Sequence, residues 1–197
     1  MVKAEGFCKY TGLWKAKEES DLKICSPKEL EDELKNLFRK GSNKCKLDSV
    51  WHSDYYNKDI PLDFYYRVSI PDYAKAVGNE LYINPHLIKG YQRMLVDEKE
   101  RKLDYELNMK FLDEQISVIN IPVKYKLKSL PDNKNYISDD LSFSVTYTSN
   151  DSIVVMKKRV RVNTLFIPLE KIKTWNNMIN EIISGFKDVI TFEKSEP

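Results

Sequence analysis

The side chains best suited to nucleophilic or metal chemistry in this sequence are two histidines, His52 and His86, and three cysteines, Cys8, Cys25 and Cys45. A Cys–His hydrolase needs a thiol within hydrogen-bond reach of an imidazole that a third group orients. Cys45 and His52 lie on one stretch that reads as a strand, an odd number of positions apart, so alternation points their side chains to opposite faces. A longer-range meeting of His52 with Cys8 or Cys25 stays open at this level. His86 follows Asn84-Pro85 and reads as a solvated loop residue. The cysteines form no C-x-x-C pair and no zinc spacing, so they read as buried thiols without a bridge; one disulfide with a thiol left over is the alternative.

Other polar clusters have plainer explanations. "DEKER" at 97–101 reads as a solvated charged loop rather than an acid–base or metal cluster. "KKRVRV" at 157–162 puts alternate cations on one strand face, which guards against edge pairing; a phosphate-binding ribbon is the alternative. No glycine-rich phosphate loop is present, and Asn150-Asp151-Ser152, although a glycosylation triplet, also reads as a turn. No catalytic residue, metal ligand or cofactor site therefore emerges. The candidate binding patch is aromatic: "WHSDYYNKD" carries Trp51, Tyr55 and Tyr56 to a strand end and loop, where rings with polar tips suit recognition or are partly buried beneath the loop.

The elements that hold these groups are legible in the patterning. "VKAEGFCKYTGLW" reads as a first strand, with Gly6 and Gly12 as bulge or turn points. "CSPKELEDELKNLFRKG" is a helix: Ser26 caps, Pro27 opens, Glu29 completes a capping box and Gly41 stops it. Its apolar stripe is Leu30, Leu34, Leu37 and Phe38. "CKLDSVW", "PLDFYYRVSI" and "ELYINP" supply strands, the second with Leu62, Phe64, Tyr66, Val68 and Ile70 on one face. "LDYELNMKF" alternates strictly from Leu103 to Phe111, and "VKYKLKSLPDN" repeats the alternation up to a Pro131-Asp132-Asn133 turn. A long hairpin follows, with Leu141, Phe143, Val145 and Tyr147 inward and a turn at Ser149-Asn150-Asp151. On its return strand Val154, Met156, Val160, Val162 and Phe166 share a phase that Lys158 interrupts, which predicts a bulge or an edge position there. A second helix near 168–186 carries Leu169, Ile172, Trp175, Ile179, Ile182, Ile183 and Phe186, and "DVITFEK" closes as a strand.

The expected fold class is α+β and mostly antiparallel β. Two β-rich, sandwich-like subdomains, 1–88 and 89–197, each carry one packed helix. A chain of 197 residues is long enough for two such bodies. With 32 basic against 30 acidic residues, nucleic acid is a poor partner, because non-specific binding to it rests on a large excess of positive charge. No apolar run approaches the roughly 20 residues that span a bilayer, so membrane insertion is not expected. The N-terminal residues lack the pattern of a signal peptide, which leaves a cytoplasmic protein or a piece of a longer exported one.

The order of several short signatures resembles the C-terminal region of large bacterial transglutaminase-like proteins. They are "GNELYINP" (78–85), "ERKLDYEL" (100–107), "LPDN" after an alternating strand, and the closing "VRVNTLFIPLEKIKTWNNMINEIISGFKDVITFEK". In that family a papain-type core precedes C-terminal β domains of unknown function, and the catalytic Cys, His and Asp belong to the core. The resemblance implies an accessory module without that active site, no cofactor, and, if the chain is a piece of an exported protein, a periplasmic or extracellular home. Its partner would be a transglutaminase-like or protease-like core, or another protein. A free-standing module that binds a surface glycan or protein is the alternative.

Overall fold

The computed structural model describes residues 1–99 and 101–195. The chain divides into two compact units, Met1–Tyr73 and Ala74–Pro197. Both are built from antiparallel sheet with helix packed on it, the expected α+β class.

In the first unit, strand β1 (Val2–Tyr10) is followed by helix α1 (Gly12–Lys23), helix α2 (Pro27–Leu37), and strands β2 (Lys46–His52) and β3 (Leu62–Ile70). The sheet order is β1-β3-β2, antiparallel throughout. Helix α2 starts as its sequence dictates: Glu29 reaches back to the Ser26 amide at 2.8 Å, and the capping box is complete. Leu34 and Phe38 are buried, and the Phe38 ring stacks on Tyr66 at 4.4 Å and meets Phe64 at 5.3 Å. Alternation on β3 puts Leu62, Phe64, Val68 and Ile70 in the core, with Tyr66 on the same face.

Helix α1 departs from the expectation of a strand continuing to Trp14 and of one helix in this unit. It has no apolar stripe for a pattern search to find; its signature is charge at i, i+4. Lys15–Glu19, Lys23–Glu19 and Lys17–Asp21 are ion pairs at 3.3, 3.4 and 2.7 Å. Gly6 makes no bulge, since β1 stays in register with β3 across it. It is there for space: a Cβ at this position would collide with the Tyr66 ring.

The second unit begins earlier than the expected 88/89 boundary. Strands β4 (Lys75–Val77) and β5 (Glu80–Ile83) belong to it because β5 pairs with the last strand of the chain. After them come β6 (Tyr105–Glu106), β7 (Phe111–Asn120), β8 (Tyr125–Ser129), β9 (Lys134–Ile137), β10 (Leu141–Ser149), β11 (Ile153–Val162) and β12 (Phe166–Ile167). Helix α3 (Ile172–Gly185) and β13 (Ile190–Lys194) complete the chain. One four-stranded sheet runs β7-β11-β10-β9, a second runs β4-β5-β13-β8, and β6 pairs with β12.

The predicted hairpin is β10–β11. Asn150 Oδ1 accepts from the amides of Ser152 and Ile153 and closes its turn. Inward residues of this hairpin pack on Ile172, Trp175, Ile179 and Ile182 of α3, roughly 1.5–3 kcal/mol for each aliphatic side chain removed from water. The two four-stranded sheets meet around Val154, Ile190 and Phe192.

Three local readings are corrected. Within the alternating 103–111 stretch only Tyr105–Glu106 and the last residue, Phe111, are strand; the long strand β7 starts at Phe111 and runs on to Asn120. Phe166 leaves the return strand for the small β6–β12 pair and is exposed. Lys158 makes no bulge and stands on no edge: it pairs in register between Val145 and Gln115 on a central strand and faces the core.

The segment 84–96 carries no strand, so side chains must satisfy its backbone. Ser117 Oγ donates to Pro85 O at 3.0 Å and Lys158 Nζ to Ile88 O at 3.1 Å, while the Asn84 side chain ties the segment to Phe186 O at 2.7 Å. Trp175 Nε1 donates to Met94 O at 2.8 Å, and Asn176 bonds both the amide and the carbonyl of Val96. These bonds make the segment a strap over the sheet. No helix among the described residues is long and apolar enough to cross a membrane.

Candidate binding face

Both helices of the first unit pack on one side of its sheet, which leaves the other side bare. The register sets three aromatic residues in one row across all three strands, because Phe7 on β1 and Trp51 on β2 both lie opposite Tyr65 on β3. The Phe7 and Tyr65 ring centroids are 4.7 Å apart, and those of Tyr65 and Trp51 are 5.5 Å apart. The three residues are 48, 53 and 58% exposed, in that order. They border a shallow groove of about 540 Å³ lined also by Glu5, Ser49 and Arg67.

Polar groups frame the aromatic row. Glu5 and Arg67 pair at 3.0 Å, and Ser69 Oγ donates to Asp48 Oδ2 at 2.7 Å. Lys9 Nζ stands 6.0 Å from the Phe7 ring centroid. The register of β2 slips between Leu47 and Ser49, so Asp48 is an extra residue and the strand's phase changes there. That bulge carries Trp51 to the bare face and His52 to the helix-packed one.

The sequence-predicted patch is divided by this geometry. Trp51 joins the row, whereas Tyr55 packs on the His52 ring at 5.2 Å and on Tyr56 at 4.8 Å, past the strand end. Tyr56 lies under Lys23 of α1, with 5.5 Å from Nζ to its centroid. Phe7 and Tyr65 take the places beside Trp51 that the sequence reading had assigned to Tyr55 and Tyr56. Their signal was available: each is an aromatic at a polar-phase position of an alternating strand, between Glu5 and Lys9 or between Asp63 and Arg67.

Cys45 and Cys8 are set apart from His52 on the sheet, and Cys25 and His52 each bond a backbone carbonyl. The bulge places Cys45 on the same side as His52, against the alternation argument, with Cys45 Sγ at 3.7 Å from Phe38 O. The two still lie at opposite ends of β2, roughly 20 Å apart at about 3.3 Å per residue. Cys8 and His52 both register with Phe64, whose ring stands between them. His52 Nδ1–H donates to Ser53 O at 2.9 Å, and Cys25 Sγ donates to Asp21 O at 3.1 Å. All three cysteines are half-buried and unbridged.

Perturbed ionisable groups gather in the core of the second unit. His86 is 1% exposed and Lys158 is 2% exposed, which corrects the solvated-loop reading of His86. His86 Nε2 hydrogen-bonds Tyr147 Oη at 3.1 Å, and Tyr147 donates to Asp188 at 3.3 Å. Burial, reinforced by the Lys158 charge, pushes the His86 pKa down to about 4. Lys158 Nζ sits 4.9 Å from the Phe186 ring centroid and 5.5 Å from that of Tyr91. Its burial lowers its pKa to about 8, although Asp113, which accepts from the Tyr91 hydroxyl, pulls the other way. Perturbed groups in a cleft mark a reactive site. These are shut in the core, where Lys158 bonds Ile88 O of the 84–96 strap and Tyr147 links His86 to Asp188 just before the last strand.

In the "DEKER" stretch Asp97 Oδ1 accepts from the Lys99 amide; Glu100, also the first residue of "ERKLDYEL", lies outside the described residues. No curated protein and no solved structure matches the chain. One family model does, that of a domain of unknown function with a solved structure, DUF3858, over residues 79–192. The match runs from β5 into β13 and so takes in the hairpin, α3 and the buried His86–Lys158 cluster. The first unit lies outside it. Because the matched stretch is more than half of the sequence, the chain belongs to the DUF3858 family.

Proposed function

We propose that this chain is a non-catalytic interaction module and that the bare face of the β1-β3-β2 sheet is its contact surface. The observation that carries the reading is the row Phe7–Tyr65–Trp51. Scattered exposed apolar residues are ordinary, but rings aligned across every strand of a sheet form a contiguous patch, and such patches mark interaction sites. Exposed aromatics supply large contact area at low conformational cost. Cys25, Cys45 and His52 each contact a backbone carbonyl, which supports the same reading. The likeness of the sequence order to the tails of transglutaminase-like proteins makes a papain-type core the expected neighbour, with the module positioning that core or its target.

A photo-crosslinking amino acid at position 65 tests the contact surface in cells that make the protein. The same group at Ile137, which is exposed in the second unit, serves as the control. Adducts from position 65 and none from position 137 are expected. Equal labelling, or none from position 65, overturns the contact surface. Peptidase and transglutaminase assays on the purified chain should be blank. Turnover that disappears on replacing Cys8, Cys25 or Cys45 overturns the non-catalytic reading.

A further inference from the structure

We infer that the bare aromatic face takes a neutral glycan chain, laid across the strands along Phe7, Tyr65 and Trp51; this rests on the reading of that face as the contact surface. The ligand's shape follows from the register. Three rings in line, tilted 37° and 49° between neighbours, make a shallow platform with no deep pocket. A platform suits an extended polymer that binds unit by unit. A sugar ring matches it chemically, because its C–H face is weakly positive and meets the negative face of an aromatic ring.

Charge selects among polymers. A single nucleic-acid strand also stacks on aromatic rings, but it needs a positively charged groove along its backbone. Here Arg67 is neutralised by Glu5, and Lys9 stands in register with Asp63, so the rows beside the rings offer no net field for a polyanion. What they do offer is hydrogen-bonding groups of both kinds at the edges of the row: Ser49, Glu5 and Arg67 on one side, Lys9 on the other. Sugar hydroxyls both donate and accept, so they can use either edge without bringing a charge of their own. An acidic or basic peptide would find its counter-charges already taken.

Affinity electrophoresis of the full chain through gels containing mixed-linkage β-glucan, xylan, pullulan or dextran tests the inference, with alginate as the anionic comparison. At least one neutral glycan should retard the wild type at least threefold more than the variant carrying Phe7→Ala, Tyr65→Ala and Trp51→Ala. Alginate should retard neither. Single Tyr65→Ala and Trp51→Ala variants with unchanged far-UV circular dichroism guard against a folding artefact, and each should lose part of the retardation. Absence of retardation by all four neutral glycans, or retardation that survives the triple substitution, overturns the inference. If position 65 then crosslinks only to protein, the contact surface stands and the glycan assignment falls.

Discussion

The two units invert the usual distribution of side chains in opposite ways. The first leaves outside what folding ordinarily hides: Phe7, Tyr65 and Trp51 face solvent across a whole sheet. The second hides what folding ordinarily leaves outside, a lysine and a histidine with two tyrosines and two carboxylates around them. The difference lies in what each has already found. Lys158 and His86 have partners within their own unit, in Ile88 O, two aromatic rings and Tyr147. The rings of the first unit pack on one another, with Lys9 beside Phe7, and keep about half of their surface open to something else.

One residue type placed in both regions gives the largest expected contrast. Trp175→Ala removes a fully buried indole and its bond to Met94 O and should cost about 3–5 kcal/mol. The midpoint of urea unfolding and exchange of the α3 amides measure it. A loss below 1 kcal/mol would mean that α3 does not close the core as described.

Acid sharpens the comparison next. The folded pKa of His86, about 4, lies below the unfolded value near 6.5, so the unfolded chain binds the extra proton between those values. The contribution of the neutral buried imidazole is complete above about pH 6.5. It is lost as the pH falls toward 4, by roughly 3 kcal/mol in all. Carboxylates titrate in the same window, so the quantity to measure is the difference between wild type and His86→Gln. Parallel stability profiles from pH 7.5 to 4 would remove His86 from the account.

Lys158 should respond with the opposite sign to mutation. Its folded pKa, about 8, lies below the usual 10.5, so its charge is carried at a cost below pH 8 that is relieved as the pH rises toward 10.5. Lys158→Met should therefore stabilise the second unit at pH 7 by about 1–3 kcal/mol and flatten that alkaline rise. Destabilisation would show that the bond to Ile88 O outweighs the buried charge. The smallest effect belongs to the bare face: Trp51→Ala should change stability by less than about 0.5 kcal/mol. A loss comparable to that of Trp175→Ala would mean the row is structural and would break the contrast.

Much of the architecture was legible because it rests on short-range patterns. The Ser26–Glu29 capping box, the 141–162 hairpin and its Asn150 turn, and the apolar stripe of α3 are each written within a few residues of one another. Helix α1 was not, since charge pairs rather than an apolar stripe hold its surface. The small β6–β12 pair and the long β7 were mistaken because alternation alone does not say where hydrogen bonding starts. The candidate site was legible by one residue in three: Trp51 was singled out, while Phe7 and Tyr65 were not.

The sequence by itself determined helices α2 and α3, the β10–β11 hairpin and most of the residues that face inward on them, because dihedral preferences, caps and periodicity act over a few neighbouring positions. Only the tertiary structure decided that β5 closes against β13, that Lys158 lies in a core, and that Phe7, Tyr65 and Trp51 share a row. Those outcomes depend on register between strands far apart in the chain and on one extra residue at Asp48. Pairing of that kind is settled by the packing of the whole sheet.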